Sequence, residues 1–116
     1  MFKIKRIYED ESPEDGVRIL VDRIWPRGIS KERADLLEWD KNTAPGTELR
    51  KWFNHEPEKF AEFSKRYIEE LKNDPDAIKA VDHLKELGKK GTVTLLYAAK
   101  DPKINQAVVL LDYLNS

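Results

Sequence analysis

The hydrophobic pattern divides the chain into short apolar runs and longer segments with helical spacing. Residues 2–8 alternate apolar with basic side chains, which predicts a half-buried strand at or near the edge of a sheet. The apolar runs within 17–24 and 92–98 are short and rich in β-branched residues, so they predict two strands buried on both faces. Residues 35–40 fit either a short strand or an irregular segment.

Two long amphipathic helices are predicted in the second half of the chain. Residues 57–72 combine an apolar stripe with a charged opposite face, which is typical of a helix packed on a core. The next helix follows Pro75 and is expected to close at Gly88 and Gly91. Its inner stripe is expected to consist of Ile78, Val81, Leu84 and Leu87.

Shorter helices are predicted for residues 31–33 and 48–54, each after a capping residue. The last helix is expected to have Asp101 as its N-cap and Pro102 at its first position, and to end near Leu114. This alternation of strands and helices predicts an α/β fold. The expected architecture is a single small domain, residues 1–116, with a mixed or mostly parallel sheet of three to four strands flanked by helices. Because residues 9–16 are few for a parallel crossover, local rules favour a hairpin between the first two strands.

Composition narrows the function classes. The 116 residues carry a net charge of −1, which disfavours nucleic acid as a partner because nucleic-acid binders usually have a basic domain. The chain has no cysteine and no metal-binding spacing, and no cofactor is indicated. No run approaches the roughly 20 apolar residues of a membrane span, and the N-terminus does not resemble a signal peptide. We therefore expect a cytoplasmic protein with no membrane partner, and the sequence indicates no oligomeric state.

Charged and aromatic residues follow both buried strands, at the point where each strand ends. Pro26 and Gly28 stop the first of these strands and turn the chain. If the two strands are parallel neighbours, their carboxyl ends lie side by side, where α/β domains bind ligands. The final helix would direct its N-terminus to the same place and add backbone N–H donors. The residues expected to share this rim are Asp22, Arg23, Trp25, Arg27, Tyr97, Lys100, Asp101 and Asn105.

Two interpretations of this rim stay open. Guanidinium groups match phosphate and carboxylate geometry, so the rim predicts a site for an anionic small molecule such as a nucleotide or phosphorylated metabolite. Arg23 and Arg27 would hold the anion, and Trp25 would flank it. Candidates for acid or base chemistry, if the chain is an enzyme, are Asp22, Asp101 and Tyr97. The alternative is a structural ion-pair network in which Arg23 pairs with a carboxylate, with function carried by other contacts.

A nucleic-acid or regulatory module is the other functional hypothesis. Basic and aromatic side chains together bind a nucleic-acid backbone and stack on bases. His55 lies in a loop nearby and is expected to have a capping or loop role rather than to act as a general base. The side chains that would form this surface are Arg23, Trp25, Arg27, Arg50, Lys51 and Trp52.

Several motifs resemble one known family over nearly the whole chain. They are V-D-R-I-W-P-R-G-I-S at 21–30, A-P-G-T-E-L-R-K-W-F at 44–53, V-T-L-L-Y-A-A-K-D at 93–101 and N-Q-A-V-V-L at 105–110. This pattern is similar to the YeaO-like branch of the domain-of-unknown-function family numbered 488. The resemblance implies an α/β fold in one compact domain and no assigned activity. It also implies that the first two strands are parallel, so we expect a mixed sheet with a parallel central pair.

The chain departs from the family pattern at two places. Other branches have a cysteine in the strand that matches 93–98, where this chain has Tyr97, and a Cys-His-Arg triplet at 105–107. The YeaO-like pattern commonly has histidine in the middle of that triplet, where this chain has Gln106. Thiol or imidazole chemistry of those relatives is therefore not expected here.

Overall fold

The structure, a computed structural model, describes residues 1–116 as a four-stranded sheet flanked by helices. The strands are β1 (Phe2–Arg6), β2 (Val17–Leu20), β3 (Glu38–Trp39) and β4 (Val93–Tyr97). Their spatial order is β1-β4-β2-β3, and every neighbouring pair is parallel. The helices are α1 (Lys31–Ala34), α2 (Thr47–Phe53), α3 (Phe60–Asn73), α4 (Pro75–Lys90) and α5 (Gln106–Asn115). The α/β class and the parallel central pair, β2 and β4, are confirmed.

The hairpin predicted between β1 and β2 is wrong, because β4 lies between them and the sheet has no antiparallel pair. Residues 7–16 carry the chain across β4 without a crossover helix, using only a short 3₁₀ turn, Pro13–Asp15. The Thr94 hydroxyl donates to the Asp15 carbonyl at 2.6 Å and fastens this connection to β4. At Gly16, φ is +66° and a Cβ atom would lie 2.2 Å from the Thr92 carbonyl oxygen, so only glycine fits.

The two faces of the sheet are covered differently. One face packs against α2, α3, α4 and α5 in a cluster of 17 buried residues, to which β4 contributes Val93, Leu95 and Tyr97. The opposite face has a cluster of only five buried residues, which includes Leu20 and Leu96. Loops and α1 cover this smaller face. The larger cluster therefore forms the main hydrophobic core.

The long helices follow the predicted pattern with two differences. In α3, the apolar stripe is buried as expected, with a 3₁₀ turn at Pro57–Lys59 leading into the helix. In α4, Val81 and Leu84 are buried as predicted, but in the first turn Ala77 is buried in place of Ile78, which is 39% exposed. The helix also continues through Gly88, where a Cβ atom would lie 2.6 Å from the Phe2 ring. Gly88 thus provides room for Phe2 and does not end the helix.

The predicted start of the last helix is wrong. Asp101 accepts hydrogen bonds from the backbone N–H groups of Lys103 and Ile104, at 2.9 and 3.2 Å, and stabilises a turn before the helix. The helix itself begins at Gln106, and Asn105 is its N-cap, accepting from Val108 N–H at 3.1 Å. Both residue types favour caps and turns, so local sequence does not distinguish their roles.

Candidate functional site

A cleft of about 750 Å³ lies beyond the carboxyl ends of β1, β2 and β4. Segments that follow these strands form one side, and α2 with its flanking loops forms the other. The predicted rim residues that line it are Asp22, Arg23, Trp25, Arg27, Lys100 and Asp101, together with Arg50 from α2. The parallel pairing of β2 with β4 accounts for this convergence, because parallel strands end at the same edge.

The cleft is lined by five arginine and lysine side chains. We call them the cationic rim: Arg6, Arg23, Arg27, Arg50 and Lys100. None of the six ion pairs in the structure includes any of them. Five cations that converge on one cleft, none of them neutralised by an ion pair, give it a local positive charge and favour an anion as the ligand.

Backbone carbonyls hold two of the rim arginines. Arg6 Nε donates to the Ala99 carbonyl at 3.0 Å. Arg23 donates from Nε to the Pro45 carbonyl at 3.0 Å and from Nη2 to the Ala44 carbonyl at 3.3 Å. The expectation that Arg23 pairs with a carboxylate is therefore wrong. Arg23 ties the end of β2 to the loop before α2.

Arg50 differs from the other rim residues because its Nε is buried and has no hydrogen-bond partner on the protein. It lies on α2, between Leu49 and Lys51, on the helix that forms one side of the cleft. Burying part of a guanidinium without an acceptor is costly. No hydrogen bond joins the Arg50 guanidinium to the protein, so an anion in the cleft would give this group an acceptor.

Apolar side chains form a second part of the lining, which we call the apolar wall: Ile24, Trp25, Pro26, Phe53 and Ile104. Trp25 is held rigidly within it. Its indole N–H donates to the Ile29 carbonyl at 2.7 Å, and its ring meets Trp39 edge to face at 5.3 Å between centroids. Ile24 is 56% exposed, although it is large and apolar.

Asp22 and Gln106 form the third part, the acceptor floor. Asp22 Oδ2 accepts from Ala98 N–H at 2.9 Å, and Oδ1 accepts from the Gln106 side-chain amide. Burial raises the pKa of Asp22 to about 6, although the hydrogen bonds from Ala98 and Gln106 lower it. The carboxyl group thus titrates close to neutral pH.

This raised pKa predicts a pH-dependent effect of Asp22→Asn. Between the unfolded pKa of about 3.9 and the folded value, the folded protein binds more protons, so Asp22 lowers stability as pH rises through about 6. Asparagine removes this cost, and it can keep both contacts if the Gln106 amide turns over. We expect the variant to gain roughly 1–3 kcal/mol in the free energy of unfolding at pH 7.5 and almost nothing at pH 4.

Urea unfolding at the two pH values measures this difference, with Asp10→Asn as the exposed control. Burial likewise raises the pKa of Asp40 to about 6, but that contribution is common to parent and variant. Equal gains at both pH values would contradict an ionisation effect.

Three predicted site residues do not line the cleft. Tyr97 is only 3% exposed, and burial raises the pKa of its phenol. Asn105 is fully buried and occupied as the N-cap of α5. Trp52 packs against the cations of Arg66 and Lys59, at 4.5 and 5.1 Å from its ring centroid.

Comparison with known proteins places the chain in a family. The family described as the inactive DUF488-N3 subclade matches residues 1–116. The chain belongs to this DUF488 subclade. The uncharacterized protein YeaO of Escherichia coli (strain K12) is 46% identical over 112 residues, which are 97% of this chain and 95% of that protein. The uncharacterized proteins Mb3100c of Mycobacterium bovis and Rv3073c of Mycobacterium tuberculosis (strain H37Rv) are each 42% identical over 113 residues, with 97% of this chain and 92% of theirs covered.

The resemblance seen in the sequence motifs is thus confirmed as a YeaO-like DUF488 relationship. No solved structure matches the chain. None of its helices combines the length and the apolar character that crossing a membrane requires. The structure contains no group of three or more histidine, aspartate and glutamate side chains placed to hold a metal ion.

Four residues with polar side chains line the cleft of this DUF488 chain but were not predicted as site residues: Arg6, Tyr8, His55 and Gln106. Arg6 ends β1, and a parallel β1 would have placed it at the same edge as Arg23. Tyr8 follows it and donates to the Arg27 carbonyl at 2.8 Å. His55 has a left-handed backbone conformation, with φ of +55°. The only sequence feature that indicates this turn is the short N-H-E-P loop at 54–57. Gln106 lies in the cleft lining at the first residue of α5. The sequence prediction had placed the start of this helix at Pro102.

Proposed function

We propose that this protein binds a phosphate-bearing, nucleotide-like small molecule in the cleft at the carboxyl ends of its strands. One observation carries the proposal: five cationic side chains line the cleft, and no carboxylate pairs with any of them. The chain as a whole has a net charge of −1, so this concentration of positive charge is local to the cleft. Guanidinium groups present several N–H donors in a plane, which suits the oxygens of phosphate.

Two features favour binding without turnover. Asp22, the less exposed of the two carboxylates that line the cleft, already accepts hydrogen bonds on both oxygens. Asp101 is engaged in the turn before α5, and Tyr97 lies outside the cleft. The subclade is also described as inactive. The three candidates for acid or base chemistry therefore have structural roles that suffice to account for them.

The arrangement favours a small molecule over a nucleic-acid strand. The nucleic-acid hypothesis needs Trp25 and Trp52 to present one continuous stacking surface. Trp25 lines the cleft, whereas Trp52 does not and packs against Arg66 and Lys59. A compact cleft between the strand ends and α2 matches the usual site of small ligands in α/β domains.

Arg27→Ala tests the proposal because it should separate binding from folding. Arg27 is exposed, its side chain makes no hydrogen bond, and its carbonyl, which accepts from Tyr8, remains in the variant. We expect the free energy of unfolding to stay within about 1 kcal/mol of the parent. The affinity for pyrophosphate and ribose 5-phosphate, measured by isothermal titration calorimetry, should fall about tenfold, as for one lost charge-assisted hydrogen bond.

Arg66→Ala is the matched control, since Arg66 is an exposed arginine outside the cleft and pairs with Glu62. It should leave both affinities unchanged. The proposal fails if the parent protein binds no phosphate compound among inorganic phosphate, pyrophosphate, ribose 5-phosphate and the nucleoside monophosphates. A large loss of stability in Arg27→Ala would instead assign that residue to the fold.

A further inference from the structure

We infer that the ligand is a free nucleotide, with its phosphate at the cationic rim and its base on the apolar wall. This inference rests on the proposed function and adds the identity of the part of the ligand that is not anionic. It depends on three kinds of surface that meet in one cleft: the cationic rim, the apolar wall and the acceptor floor. A phosphate ion would use only the first of them, and a sugar phosphate would leave the apolar wall uncovered.

The size and lining of the cleft exceed what an anion alone needs. Its volume of about 750 Å³ lies within the range of sites for ligands of drug size, about 300–1,000 Å³. Nine of its twenty lining residues are hydrophobic. A purely anionic ligand would leave this apolar surface in contact with water. A ligand with a large planar group would cover it.

Trp25 is suited to stack on such a planar group. Its ring is fixed by the hydrogen bond to the Ile29 carbonyl and by the edge-to-face contact with Trp39, so little entropy is lost when a ring binds to it. Only Pro26, whose φ is restricted, separates it from Arg27. Both side chains line the cleft, so the W-P-R unit contributes an indole and a guanidinium to the same site. A nucleotide has the complementary groups, a flat base that stacks on the indole and a phosphate that binds the guanidinium.

The acceptor floor matches the polar edge of a base. Gln106 donates its amide N–H to Asp22, which leaves Gln106 Oε1 without a donor on the protein. Each Asp22 oxygen accepts one hydrogen bond and has a second lone pair. These acceptors stand out in a cleft whose other charged groups are mostly cations. The amino and imino N–H groups of nucleobases are donors of the kind that they would bind.

Calorimetry on the full chain, with AMP, GMP, CMP and UMP compared with ribose 5-phosphate, tests the inference. Ribose 5-phosphate has the same phosphate and sugar but no base. We expect at least one nucleotide to bind about tenfold more tightly than ribose 5-phosphate, which is the range expected for stacking of one base on an aromatic ring. The four unphosphorylated nucleosides should bind more weakly than their nucleotides.

Two variants test whether the higher affinity for the nucleotide than for ribose 5-phosphate depends on the apolar wall. Trp25→Leu should abolish the advantage of the nucleotide and leave the affinity for ribose 5-phosphate unchanged. If Trp25→Leu does not fold, Ile24→Ser decides the question, because Ile24 is 56% exposed and its replacement should reduce the same advantage at least threefold without affecting the core. Ile78→Ser, at an exposed position on α4 outside the cleft, is the control and should change neither affinity.

The outcomes separate this inference from the proposed function. If ribose 5-phosphate binds as tightly as every nucleotide, the inference is overturned while the phosphate site stands. If no phosphate compound binds, both are overturned. Nucleosides that bind as tightly as nucleotides would also overturn the inference. A 5′-phosphorylated oligonucleotide that binds more tightly than any mononucleotide would overturn the assignment to a free nucleotide and point to a strand end.

Discussion

Arg50→Met is expected to weaken the binding of phosphate ligands about 100-fold while leaving the protein as stable as the parent or more stable. Arg50 Nε is buried and meets no acceptor on the protein. In the absence of a ligand, its charge therefore costs free energy of folding, and an apolar side chain of similar length removes that cost. With an anion present, the same guanidinium makes a charge-assisted hydrogen bond away from bulk water, where it is worth about 3 kcal/mol.

The measurement pairs calorimetric titration of ribose 5-phosphate with thermal unfolding in phosphate-free buffer. Lys51→Met is the matched control, because Lys51 is the next residue on α2, is exposed and does not line the cleft. It should alter neither affinity nor melting temperature. If Arg50→Met lowers the free energy of unfolding by more than about 2 kcal/mol, Arg50 has a structural role and the cleft loses one of its proposed anion-binding residues.

Asp15→Ala is expected to destabilise the fold by about 3–5 kcal/mol without acting on the cleft. Asp15 is 2% exposed and joins the β1–β2 connection to the sheet. Its Oδ2 accepts from Arg18 Nη1 at 2.6 Å, and Arg18 is itself buried on β2. Lys5 on β1 donates to Asp15 Oδ1 at 3.1 Å. Alanine leaves the Arg18 charge buried with only the Ala34 carbonyl as acceptor, at 2.9 Å from Nε.

Acidification should have a related but smaller effect on the parent protein. Burial acts to raise the pKa of Asp15, but the hydrogen bonds from Ser12 N–H, Lys5 and Arg18 outweigh it and hold the pKa below its usual value. A carboxyl group with a lowered folded pKa stabilises the protein above its unfolded pKa of about 3.9, and this contribution is lost as pH falls through the folded pKa. The Asp15→Ala variant has no carboxyl group at this position, so its stability should not show this decrease as pH falls.

Chemical unfolding at pH 7 measures the main effect, and Asp10→Ala is the control because Asp10 is an exposed carboxylate of the same connection. A second variant, Asp15→Ala combined with Arg18→Met, should recover part of the lost stability, since it removes the unpaired charge. If Asp15→Ala costs less than about 1 kcal/mol, the ion pair does not fasten the connection as described.

The sequence determines those features of the fold that depend on neighbouring residues. Phe63, Tyr67 and Leu71 recur every fourth residue, which is enough to predict α3 because a helix with about 3.6 residues per turn then buries them on one face. The apolar run of β4 predicts a strand buried on both faces for a similar reason. The charged and aromatic residues after β2 likewise predict part of the cleft lining, namely Arg23, Trp25 and Arg27.

Only the tertiary structure decides how these parts are placed together. Strand order depends on pairings between distant residues, so the short connection after β1 favoured a hairpin although β4 lies between β1 and β2. The start of α5 depended on a competition between two capping residues, Asp101 and Asn105, which have similar local preferences. The lack of carboxylate partners for Arg23 and Arg50 is likewise a property of the assembled cleft, because side-chain pairing is set by positions in space and not by residue types along the chain.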